Sequence, residues 1–406
     1  MHKHTSVLLV ALLLPVFGFA DASLTFVPPL LFDTSANPAG SPTNQRAHGG
    51  TVVCKNTECA LVYAGNTELF KHQLSPWPGP KSQSHFNVPP YGDRDLNLFN
   101  FSVCDDCQWG LAGFDVQGTV LFSTGPANVF LFGDSRRYSN ANSIGGLTFK
   151  YNNRQYIVSK VPAGCQGWSL AEITGINPDD LRVVQCITDA NGTAISVDSG
   201  FYSPGWVYLF DSGLRRVYPY SVGSTVTGDP YFTAYPWTLN AVWILDHGMD
   251  VDWERKIAVT AYHWGMRVYN IENPAVPVLL SSTVLPLAIP AMLVELNWPY
   301  AYVATVNTVD TGSSHLFDLT DPAHPVELHP EFWMATPAEC TVGSTVPPSA
   351  HVWNDYPCMS NRGGVWRDNT LYLSRSSVVE RFDLTVTVDS SIFADGFESG
   401  TTGSWR

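Results

Sequence analysis

The stretch "VYNIENPAVPVLLSSTV" at residues 268–284 is written a second time, 48 residues on from Val268 to Leu316, as "LFDLTDPAHPVELHPEF". Each copy reads as an apolar strand, a turn opened by Asn273-Pro274 or Asp321-Pro322, and a second strand beginning at Pro277 or Pro325. An Asx residue before proline is steered away from continuing a strand and starts a turn. The second proline suits an outer edge strand, where a missing N–H costs least and where proline discourages edge-to-edge pairing.

The grammar recurs along the chain. Gly248 precedes a strand beginning at Ile257, and comparable marks are Gly50, Gly110, Gly146 and Gly364. Two further units keep the strands without the glycine: "TAISVDSGFYSPGWVYLFDSGLRRVYPYSV" and "PAMLVELNWPYAYVATVNTVDTGSSHLFDL". That makes seven units, and dividing the 341 residues from Gln45 to Thr385 (385 − 45 + 1) by the step of 48 also gives about seven. A period of this length with three or four strands per unit is the signature of a β-propeller blade. The expected fold is all-β, a propeller of seven blades, with six or eight still compatible. A glycine at the head of each innermost strand would let backbones approach closely around the axis.

Composition agrees. Charged residues are 14% against a usual figure of about 25%, while Gly (32), Pro (29) and aromatics (13%) are plentiful, as in many short strands joined by tight turns. The clearest alternation has period two, in "KIAVTAY" and "AYVATV". A net charge of −14 argues against nucleic acid or anionic lipid as partner.

The copies "MRVYNIENPAVPVLLSS" and "SHLFDLTDPAHPVELHP" resemble LVIVD repeats, a propeller-forming unit of exported bacterial proteins whose tail reads Asp-x-x-x-Pro-x-x-Pro. The match covers about residues 245–330 and is faint at "SLAEITGINPDDLRVVQC", "RFDLTVTVDS" and "LLFDTSANPAGSP". Units two and four depart from it, lacking the proline turn, and "PEFWMATPAECTVGSTVPPSAHVWNDYPCMSN" is an insertion before the last unit.

The start "MHKHTSVLLVALLLPVFGFADA" has a short basic region, an apolar run from Val7 to Ala20 and a small-x-small site, the pattern of a secretory signal peptide over residues 1–22. Pro15 and Gly18 interrupt the run, which is shorter than a membrane span needs, so no anchor is expected in the mature chain. Residues 23–44 follow as a segment whose strand would complete the final blade, then a propeller over 45–385 and a tail over 386–406. Within the tail, "IFADGFESGTTGSW" resembles a short C-terminal segment of exported Gram-negative proteins, which favours secretion or surface display after Sec-type export, with the periplasm as alternative.

Eight cysteines suit an oxidising compartment. Their spacing suggests the pairs Cys54–Cys59, Cys104–Cys107, Cys165–Cys186 and Cys340–Cys358. "CDDC" has no partner pair at zinc-ligand spacing and no βαβ context, so it reads as a structural bridge.

A propeller presents its usual site at the channel mouth. There the register places His48 and His247 near equivalent positions, His263 with Trp264 in a loop of the same unit as His247, Asp250 (and Asp252) on the strand after Gly248, and His351 in the insertion. Imidazoles and carboxylates that converge can ligate a metal or act as acid and base. His247, His263 and Asp250 are the metal candidates if there is one; no cofactor is otherwise expected, and no catalytic residue can be assigned. No Gly-x-Ser-x-Gly elbow, phosphate-cradling loop or complete EF-hand loop is present. The 13 tryptophans are expected mainly as core between blades, able to stack on sugars or peptides where exposed. The resulting expectation is a monomeric exported binding or display module for a protein, peptide or glycan at the envelope or outside the cell. The alternative is a metal-assisted propeller hydrolase or lyase.

Overall fold

The computed structural model describes residues 21–28, 31–32, 48–55, 58–64, 68–77, 81–85, 98–114, 118–123, 135–137, 146–161, 165, 167–175, 180–211, 214–240, 248–262, 265–285, 291–305, 314–329, 361–375 and 378–387. Their strands form seven antiparallel sheets of four or five strands, six of them built from strands adjacent in sequence and the last from C-terminal strands joined by the N-terminal ones. We number these blades 1 to 7 in chain order, with first strands at His48–Lys55, Leu98–Ser102, Leu147–Tyr151, Ser199–Ser203, Met249–Asp252, Ala291–Asn297 and Asn361–Arg367.

Neighbouring blades touch in sequence order, and the seventh returns to the first. Asp105 Oδ1 of blade 2 accepts from Cys54 N of blade 1 at 3.0 Å, and Ser102 Oγ accepts from Thr148 N of blade 3 at 2.9 Å. Gly146 N, heading blade 3, donates to Asp198 O at the head of blade 4. Tyr208 OH of blade 4 donates to Pro274 O of blade 5, and Trp366 Nε1 of blade 7 donates to Glu295 O of blade 6. Tyr372 and Val379 of blade 7 pack with Val52, Leu61 and Tyr63 of blade 1, which closes the circle. The architecture is a β-propeller.

Closure is completed by the N-terminal segment. Asp21–Phe26 pairs antiparallel with Val378–Thr387 as the outermost strand of blade 7, in the register Asp21 to Thr387 through Phe26 to Phe382. Leu31 and Phe32 pair with Val379 and Val378 of the same strand. Ala22 and Leu24 are buried with Phe382 and Leu384, so this strand seals the core between blades 6 and 7.

The repeated stretch is the third strand (Gly265–Asn270), turn and outer strand (Val278–Val284) of blade 5; its copy supplies Ser314–Asp318 and Val326–His329 of blade 6. The turns share their chemistry. Asn273 Oδ1 accepts from Ala275 N and Asp321 Oδ1 from Ala323 N, while Asn270 and Asp318 each accept from the amide two residues on. Both pairings of third with outer strand shift register at the same place, opposite Val268 and Tyr269 and opposite Leu316 and Phe317 of the third strands, which leaves Leu280 and Leu328 of the outer strands as the extra residues.

The glycine marks need two corrections. Gly50 and Gly364 lie in first strands, but Gly110 lies in the second strand of blade 2, Trp109–Phe114. A Cβ there would sit 2.2 Å from the Phe122 ring, so this glycine makes room for a ring of the third strand rather than for the axis. Conversely, the unit read as lacking the mark has it at Gly200 in the first strand of blade 4, where a Cβ would lie 2.9 Å from Tyr208 O and 3.1 Å from Leu147 Cδ2 of blade 3.

Cys54–Cys59, Cys104–Cys107 and Cys165–Cys186 are bonded. Cys340 and Cys358 lie outside the described residues.

Candidate binding surface

Most of the residues singled out from sequence for the channel mouth, His247, His263, Trp264 and His351, lie outside the described residues. Of His48 the backbone alone is described, paired with Ala64 in blade 1. Asp250 is fully placed, and its carboxylate serves the fold: Oδ1 accepts from Val251 N and Oδ2 from Leu296 N of blade 6, both at 2.7 Å. Asp252 accepts from Arg255 N at 2.9 Å and Arg255 Nη1 at 3.0 Å across the first turn of the same blade. Among the described residues no three His, Cys, Asp or Glu side chains are grouped to hold a metal.

The described residues carry instead an aromatic surface on the outer strands of blade 4. Its last strand is Pro230–Ala234, and alternation puts Tyr231 and Thr233 on one face and the buried Phe232 on the other. Phe232 packs toward blade 3 with Tyr220 and Val207, so the Tyr231 face turns toward blade 5. On that face Trp206, Ser221 and Thr233 stand in one row across three strands. The Trp206 ring meets Tyr235 at 5.4 Å between centroids. Two residues along from Trp206, the buried Tyr208 stacks on Trp253 of blade 5 at 5.0 Å, so the surface continues an inter-blade contact outward. Trp237 follows, 42% exposed, with the Arg216 guanidinium 4.8 Å from its ring centroid.

These rings differ from the tryptophans of the core. Trp77, Trp109, Trp168, Trp253, Trp298 and Trp366 each belong to a different inter-blade cluster, as expected for propeller core. Trp206 and Trp237 belong to none of these.

A polar network on the other face of blade 4 is, by contrast, saturated. Asp229, buried in the last turn of blade 4, accepts from Arg182 Nη1 and Nη2, Tyr156 OH and Thr227 Oγ1, and pairs with Arg154 Nη1 at 2.9 Å. Arg182 Nε also binds Glu172 Oε2 at 2.8 Å. The hydrogen bonds from Arg182 outweigh burial and hold the Asp229 carboxyl well below its ordinary value. Burial, then the bond to Asp229, pushes the Tyr156 phenol up. With two guanidiniums on two carboxylates, the cluster clamps blade 3 to blade 4. The proline turns are held from the preceding blade in the same way, Pro274 O by Tyr208 and Pro322 O by Ser281 Oγ at 2.8 Å.

Sequence reading missed the aromatic surface. Its signal was present in "PGWVYLF" and "DPYFTAYPW", where aromatics recur at alternate positions, Trp206, Tyr208 and Phe210 in one and Tyr235 and Trp237 in the other. The pattern does not say which side a neighbouring blade covers.

No family profile and no curated protein matches the chain. Among solved structures, the β-propeller domain of Cps50 (Swd1) from Myceliophteria thermophila is similar, at 11% identity and a TM-score of 0.51 over 88% of this chain and 100% of that one. The computationally designed Ika8 protein aligns at 8% identity and a TM-score of 0.46 over 84% of this chain and 96% of that one.

Proposed function

We propose that this protein is an exported β-propeller, built of LVIVD-type blades, that works as a binding module for a protein, peptide or glycan at the cell envelope or outside the cell. The observation that carries the reading is a clamped ring with aromatic side chains left facing solvent on its rim: the blades are tied by Asp250, Asp229, Tyr208 and Trp366, while Tyr231 and Trp237 stay exposed. A rigid scaffold with exposed rings binds with little ordering cost. Export is supported by the signal-like residues 1–22 and by three disulfides, bonds that persist in oxidising compartments. Among the described residues no helix is long and apolar enough to cross a membrane.

Two measurements test it. Expression of the full chain in a Gram-negative host, with mass spectrometry of the exported form, should give a new N-terminus near Asp21 or Ser23; an uncleaved cytoplasmic product would contradict export. Calorimetric titration against envelope glycan, peptide and protein fractions should find one saturable ligand class, and no saturable binding in any of them would contradict the module.

A further inference from the structure

We infer that the aromatic surface of blade 4 is a docking site for a neutral glycan; this rests on the binding-module reading and names its ligand and place. Four features converge on it. Trp206 and Tyr235 form one aromatic patch at 5.4 Å, and Tyr231 stands two residues beyond Thr233 on the same face, with its ring half exposed. Covering such rings is favourable, and a ring pair left partly open to solvent with a half-exposed tyrosine on the same face is a surface suited to a ligand.

The second feature is the chemistry between the rings. Ser221 and Thr233 share the row with Trp206, so two hydroxyls stand beside a ring. A sugar presents that same mixture, apolar C–H faces that stack on aromatics and hydroxyls that exchange hydrogen bonds. Third, neither a carboxylate nor a cation stands on the Trp206–Ser221–Thr233 row, and Arg216, on the same strand as Ser221, is placed over Trp237. A charged peptide would find no counter-charge in that row, and the chain's net charge of −14 repels polyanions. Fourth, Trp206 stands two residues from the Tyr208–Trp253 stack on the same strand and face, so the strand that carries it is held against blade 5 before a ligand arrives.

The rings are wide and flat, which suits a polysaccharide lying along the strand better than a single sugar held in a pocket. Aliphatic exposure, the surface a protein partner would favour, gathers on blade 5, at Val276, Val278, Leu279 and Val284, whereas blade 4 exposes only Leu214 and Val226, each in a turn.

Native electrophoresis of the full chain in gels containing xyloglucan, galactomannan, laminarin or glycogen tests the assignment, with heparin as the polyanion control. At least one neutral polysaccharide should retard the wild type and heparin should not. The Tyr231→Ala/Trp237→Ala variant, altered only at exposed side chains, should bind about tenfold more weakly, as the loss of stacked rings requires. Val278→Ala, on the aliphatic rim of blade 5, should match the wild type. Absence of retardation in all four neutral gels, or equal retardation of the aromatic variant at unchanged melting temperature, overturns the glycan site. Saturable binding of a peptide or protein fraction that the aromatic variant leaves intact would overturn the glycan site while the binding-module reading stands; failure of every ligand class would overturn both.

Discussion

Arg182, on the outer strand of blade 3, lies with its Nη2 2.5 Å from Asp229 Oδ1 in the last turn of blade 4, and this contact ties two neighbouring blades at their rim. The carboxylate is buried whereas Arg182 is 48% exposed, so losing the negative charge strands one buried site but lets the guanidiniums turn to water. Asp229→Asn is therefore expected to lower unfolding free energy by about 2 kcal/mol, less than the loss typical of breaking a fully buried ion pair. Chemical denaturation at pH 7 checks the size.

The pH dependence of that contact has a definite sign. Asp229 is held below its ordinary value when folded, so the folded state releases its proton more readily and the contribution is present above the unfolded value, about 4. It should disappear as pH falls further toward the folded value. Melting temperature against pH should show an acid limb in the wild type that is shallower in Asp229→Asn; parallel limbs would contradict the assignment.

Glu295 should behave oppositely. It is buried in the first strand of blade 6 beside Gly364, and burial, only partly offset by a bond from the Gly364 amide, raises its carboxyl well above the ordinary range. A raised folded value favours the protonated form in the native state, so stability falls as pH climbs from about 4. Glu295→Gln should melt higher than the wild type at neutral pH, with the gap closing on acidification. A gap that widens in acid would contradict this.

The disulfides should differ in weight. Cys165–Cys186 closes a separation of 21 residues and Cys54–Cys59 one of 5, and chain-entropy reasoning gives losses of about 3 and about 2 kcal/mol on replacing each pair by serine. Denaturation midpoints of the two double variants test the order.

How much of this was legible depends on how local the cause is. The proline turns were readable because an Asx-Pro pair fixes its own backbone, and the side chains of Asn273 and Asp321 cap their own turns. The disulfide pairs described here follow sequence neighbours for the same reason. Gly110 misled because a glycine that accommodates Phe122 looks, in sequence, like one that accommodates the axis. The Asp229 clamp gathers residues 47 and 73 positions apart, and nothing in "RQYIVS" or "LRVVQC" announces it. The same holds for the aromatic surface: Tyr231 and Phe232 are neighbours, and only the packing of blades 3 and 5 decides which one meets solvent.

The account stands on a ring closed by its own N-terminus, because a rim of fixed blades is what presents the binding surface. Ser23 and Thr385 face each other in the closing pair, within the reach of a disulfide between antiparallel partners. The Ser23→Cys/Thr385→Cys variant, oxidised and digested, should yield a cross-linked peptide joining the two ends of the chain and a higher melting temperature than its reduced form. Two free thiols under oxidising conditions, or cross-links between separate molecules alone, would contradict the closed ring.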